Sequence, residues 1–292
     1  AKMKVDSTEK KKLSRSAEVW RRYRKSPTAM IGLAIILVII LGAIFADIIV
    51  PYDYGIKQVI PDRLQGPSLK HLFGTDDLGR DLFSRVIHGS RSSLVLGILT
   101  TAVATLIGGF LGGICAYYGN RVDNIIMRLL DVITSIPSTL LSLSIVAALG
   151  PGIRNLVIAI TVSRVPTFAR VIRSAVLNIV NQEYIEAAKA GGTRNLRIML
   201  RHVYPNAMSP IIVQCTMSIS QLILQAAGLS FLGMGMQPPA PEWGALLNSA
   251  RDFMRTAPHL MLFPGIAIVL AALAFNLVGD GLRDAFDPRL KS

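Results

Sequence analysis

Two cysteines in 292 residues, Cys115 and Cys215, exclude a disulfide framework or a thiolate metal cluster. Both lie in apolar runs, where a thiol acts as a small hydrophobe. Histidine is also scarce: His71, His88, His202 and His259 are scattered, and no HExxH pairs two of them. There is no GxxxxGK(S/T), so the chain has no phosphate loop of its own. The glycine-rich stretch Gly108 to Gly113 lacks the lysine and sits inside an apolar run. Serine, cysteine and histidine form no recognisable nucleophile motif. No catalytic residue, cofactor-binding residue or metal ligand is therefore assigned. Aromatics make up only 7% of the chain, and the net charge of +13 flanks apolar runs instead of interleaving with them. That distribution argues against nucleic acid and for an anionic membrane surface.

What the chain has in quantity is apolar sequence, 51% of residues with a mean hydropathy of +0.48. This is too apolar for an ordinary soluble domain. Residues 1–28 form a basic segment in which Trp20 and Tyr23 suit an interfacial anchor. No small-residue cleavage site follows the first apolar run, so no cleavable signal is expected. That run, residues 29–50, is long enough to span a bilayer. Residues 51–91 read as a polar loop in which Asp77, Arg80, Asp81 and Arg85 can pair on a short helix.

Further spans are expected at 92–120, where Gly108, Gly109, Gly112 and Gly113 give two overlapping GxxxG patterns, and at 132–153, punctuated by Pro137. Another covers 155–177, interrupted by Arg164 and Pro166, followed by 207–232 and 258–278. A five-span core thus covers 92–281, and a short tail covers 282–292. The fold class is all-α, a polytopic membrane protein with six transmembrane helices. Two polar sets are candidates for a translocation path: Ser135, Ser138 and Ser142, and the glutamines Gln214, Gln221 and Gln225. Both sets serve equally well as helix-to-helix hydrogen-bonding groups.

Between the fourth and fifth spans lies a charged island at residues 183–206, EYIEAAKAGGTRNLRIMLRHVYPN. Tyr184, Ala187, Ala188 and Gly191 recur at i, i+3, i+4 and i+7, which puts a small, smooth face on one side of a helix. Gly192 permits a turn, Thr193 is placed to cap a second helix, and Arg194, Arg197 and Arg201 line one side of it up to Pro205. By physics alone, an amphipathic helix lying on the membrane surface fits equally well.

The order of Glu186, Ala187, Ala188, Gly192 and Pro205 resembles the EAA loop of bacterial ABC importer permeases, with His202 and Tyr204 where that family usually has aliphatic residues. The string HLFGTDDLGRDLFSRVIHGSRSSL from His71, and AFNLVGDGLRDAFDP from Ala274, are similar to segments of the peptide branch of those permeases. The resemblance, to DppC/OppC-type subunits, covers nearly everything after the first 18 residues. It implies the type I importer fold, with Tyr184, Glu186, Ala187, Ala188, Gly191, Gly192 and Pro205 coupling to a cytoplasmic ATPase.

Implied partners are a second, DppB/OppB-like permease subunit, two ATPase subunits that bind ATP and Mg, an extracytoplasmic solute-binding protein and membrane lipid, with no nucleic acid. The implied cargo is di- or oligopeptide, with nickel complexes, glutathione and sugars as alternatives within the same class. An ion-coupled secondary transporter is the competing class. It needs mid-membrane carboxylates, whereas Asp47 and Asp131 fall near span ends. With the N-terminus in the cytoplasm of a bacterial inner membrane, six spans place both termini inside. Of the 31 Lys and Arg, 22 then lie inside and 9 outside, the sign of the positive-inside rule.

Overall fold

A computed structural model describes residues 15–287; the first half of the basic segment and the last five residues of the tail lie outside the described residues. Among the described residues the chain is helical, with an isolated bridge between Thr75 and Asp81 as its one extended pairing. Five helices are long and apolar enough to cross a membrane, and a pair bent by 80° brings the number to six when it is counted as one broken span.

The amphipathic helix α1 (Arg15–Tyr23) leads into α2 (Pro27–Ile44). Ser26 caps α2 by accepting from Ala29 N, and Pro27 occupies the first turn, where its missing N–H costs nothing. Gly32 lets α2 lie close against Leu277 of α13 (His259–Phe286). Two short helices, α3 (Ala46–Ile49) and α4 (Tyr52–Ile56), start the connecting loop.

The second crossing helix, α5 (Leu82–Tyr118), starts ten residues earlier than the apolar run. Asp81 caps it, its Oδ1 accepting from Ser84 N at 2.8 Å, so Asp81 terminates the loop and does not pair with Arg85. The charges that hid this first part of the helix are matched by groups distant in the sequence. Arg85 donates to the Gly55 carbonyl at 2.8 Å, and Arg91 donates to the Ala43 carbonyl and to Asp47 at 2.8 Å. Arg80 pairs with Asp76 at 2.6 Å and more loosely with Asp77 at 3.7 Å, but in a turn, not on a helix.

The third crossing is not the single span 132–153. It is α6 (Asn120–Thr134) and α7 (Ser138–Leu149), bent by 80° at Pro137. Proline cannot continue the hydrogen-bond ladder, and Thr134 and Ser135 turn their hydroxyls back onto backbone carbonyls at the break. The polar residues Arg121, Asp123 and Arg128 therefore lie on a helix.

The fourth crossing, α8 (Ile153–Val180), accommodates Pro166 without a break. It packs along α5 through the glycine seam. A Cβ on Gly108 would lie 2.7 Å from Phe168 Cβ, and one on Gly112 would collide with the Ala169 carbonyl. The GxxxG pattern thus works as a close-approach surface within the chain. Arg170 and Arg173 of α8 are neutralised by Asp131 at 2.8 Å and by a short pair with Asp123, both on α6.

After the charged island, α11 (Tyr204–Phe231) forms the fifth crossing and α13 the sixth. Between them α12 (Trp243–Ala250) tucks back into the bundle. Glu242, almost wholly buried, caps α12 through Gly244 N and Ala245 N and accepts from Ser93. Trp243 donates its indole N–H to the Val86 carbonyl at 2.9 Å. A buried carboxylate at a helix N-terminus is stabilised by those N–H groups and the helix dipole.

Candidate coupling surface and polar seam

The island folds as one short helix, a turn at Gly192 and the start of a long helix. The first, α9 (Glu183–Ala190), has Glu183 and Glu186 in its first turn and Lys189 in its last, the arrangement a helix dipole favours. It ends at Gly191, whose N–H reaches the Ala187 carbonyl at 2.9 Å, and Gly192 turns the chain with φ +74°. A φ of that sign suits glycine because no Cβ meets the adjoining carbonyl.

Thr193 does not cap the next helix. Arg194 occupies the cap position of α10 (Asn195–Ile198) without a side-chain bond. Nor does the basic helix stop at Pro205. A π-helical turn over Met199–Val203 carries it into α11, so 195–231 is one rod. Pro205 has no N–H for the Arg201 carbonyl, and its ring would crowd that carbonyl in a tight α-turn; the wider turn accommodates it.

The island is held from beneath. Ile185, Ile198 and Val203 are fully buried, against Ile172, Val176 and Val180 of α8 and Ala116 of α5. Tyr204 donates to the Gly109 carbonyl at 3.0 Å, and its hydroxyl fills the space beside Gly113. Tyr117 donates to Asn195 Oδ1 at 2.9 Å while Lys189 lies over the Tyr117 ring.

What remains outward is Tyr184, Glu186, Ala187, Gly191, Gly192 and Pro205, together with Leu196 and Leu200 at 69% and 61% exposure. Ala188, on the same predicted face, turns half inward and packs on the cluster around Ile185. The two leucines add exposed apolar surface beside α9 that sequence reasoning missed, because it weighed the arginines of that helix and not the residues between them.

The two polar sets fare differently. Ser135 lies exposed at the α6–α7 break and bonds to the Val132 carbonyl, and the Ser138 carbonyl accepts from Ser142 Oγ at 2.8 Å. Ser142 is wholly buried. It contacts Ser163 Oγ at 2.9 Å and accepts from Gln225 Nε2 at 3.2 Å. Gln225 Oε1 in turn accepts from Arg164 Nε at 2.8 Å and Nη2 at 2.6 Å.

Ser142, Ser163, Gln225 and Arg164 thus form one network tying α7, α8 and α11. Gln214 bonds to Ser218 and lines a cavity of about 490 Å³ with Val171, Met217 and Arg283, while Gln221 is exposed. Arg164 stood out in the sequence as an interruption and Gln225 as a path candidate; their pairing across 61 residues did not.

On the loop side of the membrane helices, Lys70 donates to Asp62 at 2.9 Å, and that bond holds the Asp62 carboxyl below its ordinary range. Arg91 does the same for Asp47. Among the described residues no group of His, Cys, Asp and Glu is arranged to hold a metal.

Comparison with known proteins agrees with this geometry. Residues 104–292 match the family described as binding-protein-dependent transport system inner membrane component, and residues 14–67 match the N-terminal TM domain of oligopeptide transport permease C. The dipeptide transport system permease protein DppC of Alkalihalophilus pseudofirmus is 47% identical over 94% of this chain and 90% of that protein. The glutathione transport system permease protein GsiD of an Escherichia coli strain is 46% identical over the same shares. The di/tripeptide permease DppC of Pseudomonas aeruginosa is 44% identical over 94% of this chain and 92% of that protein.

Among solved structures, the inward-facing MetNI methionine ABC transporter superposes with a TM-score of 0.57 at 18% identity, covering 70% of this chain and 97% of that one. An amino acid ABC transporter gives 0.52 at 20% identity over 71% and 95%. These two establish the fold. The chain belongs to the binding-protein-dependent transport permeases, in the branch of the oligopeptide permease C proteins.

Proposed function

We propose that this chain is the permease subunit of an ATP-driven importer that moves di- or oligopeptides across the bacterial cytoplasmic membrane. The observation that carries the reading is the exposed face of Tyr184, Glu186, Ala187 and Gly191, held rigidly by the buried Ile185 and Ile198. Such a face is suited to close contact with an ATPase subunit, which would supply the ATP and Mg site this chain lacks. A second, related permease and an extracytoplasmic binding protein complete the assembly, and both termini and the island lie in the cytoplasm.

Coupling then works as a lever. Movement of α9 is passed through Ile185 to α8. It is passed through the continuous rod 195–231 to Gln214, Gln221 and Gln225. Together with Ser135, Ser138 and Ser142, these line or brace the path. Because interfaces are bistable rather than freely deformable, ATPase closure biases the permease pair between its two access states.

Peptide cargo is supported by the relatives named for dipeptides and di/tripeptides; glutathione, for which another relative is named, is the second reading. The test is the ATPase rate of the reconstituted complex with binding protein loaded with short peptides or with glutathione. Stimulation by peptide supports the first reading and stimulation by glutathione alone the second. Failure to recruit any ATPase refutes the role of the island.

A further inference from the structure

Arg164 carries a full positive charge about 16 Å along a helix about 42 Å long, which puts it near the middle of a membrane crossing. The other arginines of α8 beyond this point, Arg170 and Arg173, each meet an aspartate. Among the described residues Arg164 meets none. Its Nε and Nη2 both donate to the neutral oxygen of Gln225, and among the described residues its Nη1 has no acceptor.

Gln225 itself is fixed from behind by Ser142, which is fixed by Ser163. The network therefore orients the guanidinium without neutralising it, and a guanidinium does not discharge by losing its proton. A mid-membrane charge held in place and left unpaired needs an anion.

The surroundings limit which anion. Arg164 is half-buried, and toward the island the neighbouring positions Thr167 on α8 and Gln221 on α11 are exposed. Further along, Gln214 and Arg283 line the cavity between α8, α11 and α13. These groups form a polar seam leading from mid-membrane to the island end of the bundle. A lipid-facing surface would not carry them.

We propose that Arg164 is a cargo-binding residue, whose free guanidinium edge receives the C-terminal carboxylate of a peptide during its passage. Gln225 is the positioning residue that holds the edge toward the seam. The proposal rests on the peptide-importer reading above and adds to it the part of the cargo that is recognised. Among the described residues no acid pairs with Arg164, so the carboxylate of an arriving peptide is the counter-ion this edge receives.

The test uses the whole complex, with partner permease, ATPases and binding protein, in proteoliposomes supplied with labelled dialanine and trialanine. Arg164→Gln, which can still bond to Gln225, is expected to lower subsaturating uptake about tenfold or more. Arg164→Lys should retain more uptake than Arg164→Gln. Gln225→Met should lose much less than either, since the charge remains.

Uptake by Arg164→Gln within twofold of wild type overturns the proposal. So does an equal loss in Arg164→Gln and Gln225→Met, which makes the bond merely structural. Loss of complex assembly in Arg164→Gln also overturns it, assigning the charge to an acid of the partner permease. Wild-type vesicles that take up neither peptide refute the peptide reading itself.

Discussion

Replacing Gly191 by leucine separates the surface of the island from its fold. Gly191 has φ −74°, which any residue adopts, and a Cβ there would meet nothing nearer than the Ala187 carbonyl at 3.4 Å. The rest of a leucine side chain points away from the chain, since Gly191 is exposed. Stability should therefore change by no more than about 0.5 kcal/mol, the range for surface substitutions away from special features.

If α9 docks in a groove shaped for small residues, the same side chain overpacks that contact. Overpacking costs about 1–3 kcal/mol, which corresponds to about 5- to 150-fold weaker docking. The neighbour supplies the contrast. Gly192→Ala leaves an open surface, with nothing within 4 Å of its Cβ, but must adopt φ +74°, at a cost of about 1–2 kcal/mol to the turn itself. Gly191→Leu should thus give a normal melting temperature with poor ATPase recruitment; Gly192→Ala should lower both modestly. The measurements are copurification of the ATPase, peptide uptake and thermal unfolding in detergent. Full uptake by Gly191→Leu would show that the face around Tyr184 and Ala187 is not in contact during transport, and the lever would fall.

Three further outcomes follow from the geometry. Gly112→Ala places a methyl against the Ala169 backbone, which cannot rotate away, so α5 and α8 must separate; a loss of about 1–3 kcal/mol should appear as a lower unfolding temperature. Tyr204→Phe removes the bond to the Gly109 carbonyl while keeping the ring, and should cost about 0.5–1.5 kcal/mol, with uptake falling if that bond transmits the motion. The Asp62–Lys70 pair has a definite pH sign. The carboxyl is depressed in the folded chain, so its contribution is present above the ordinary carboxylate range and is lost as pH falls through the depressed value. Lys70→Ala should make the unfolding temperature less sensitive to acid, and an unchanged acid profile would refute that assignment.

The sequence was most legible where one local rule acted alone. Ser26 before Pro27 and an unbroken apolar run specify α2, and the spacing of Gly108 and Gly112 specifies a seam that α8 fills with Phe168 and Ala169. It was less legible where charges are satisfied by distant backbone. Arg85, His88 and Arg91 read as a loop because nothing in the neighbouring sequence reveals the carbonyls of Gly55, Val50 and Ala43 that accept from them.

Pro137 and Pro205 show why a breaker residue alone does not determine its effect. At Pro137, serine and threonine hydroxyls compete for the carbonyls and the chain bends by 80°. At Pro205, a wide turn anchored by Met199 and Val203 absorbs the ring and the rod continues. The difference lies in what is buried beside each proline, and that is a tertiary fact.

The candidate site divides along the same line. The island could be read because its pattern of small residues is local. Leu196 and Leu200 gain meaning only once Ile198 and Val203 are seen to face inward and leave the leucines outside. Gln225 likewise becomes a positioning group only when α8 brings Arg164 to it. A polar residue in a membrane helix is therefore interpretable as path or as brace only after its partner is known: Ser142, with its hydrogen bonds inside the bundle, braces, whereas Gln221 is exposed and is free to serve the proposed path.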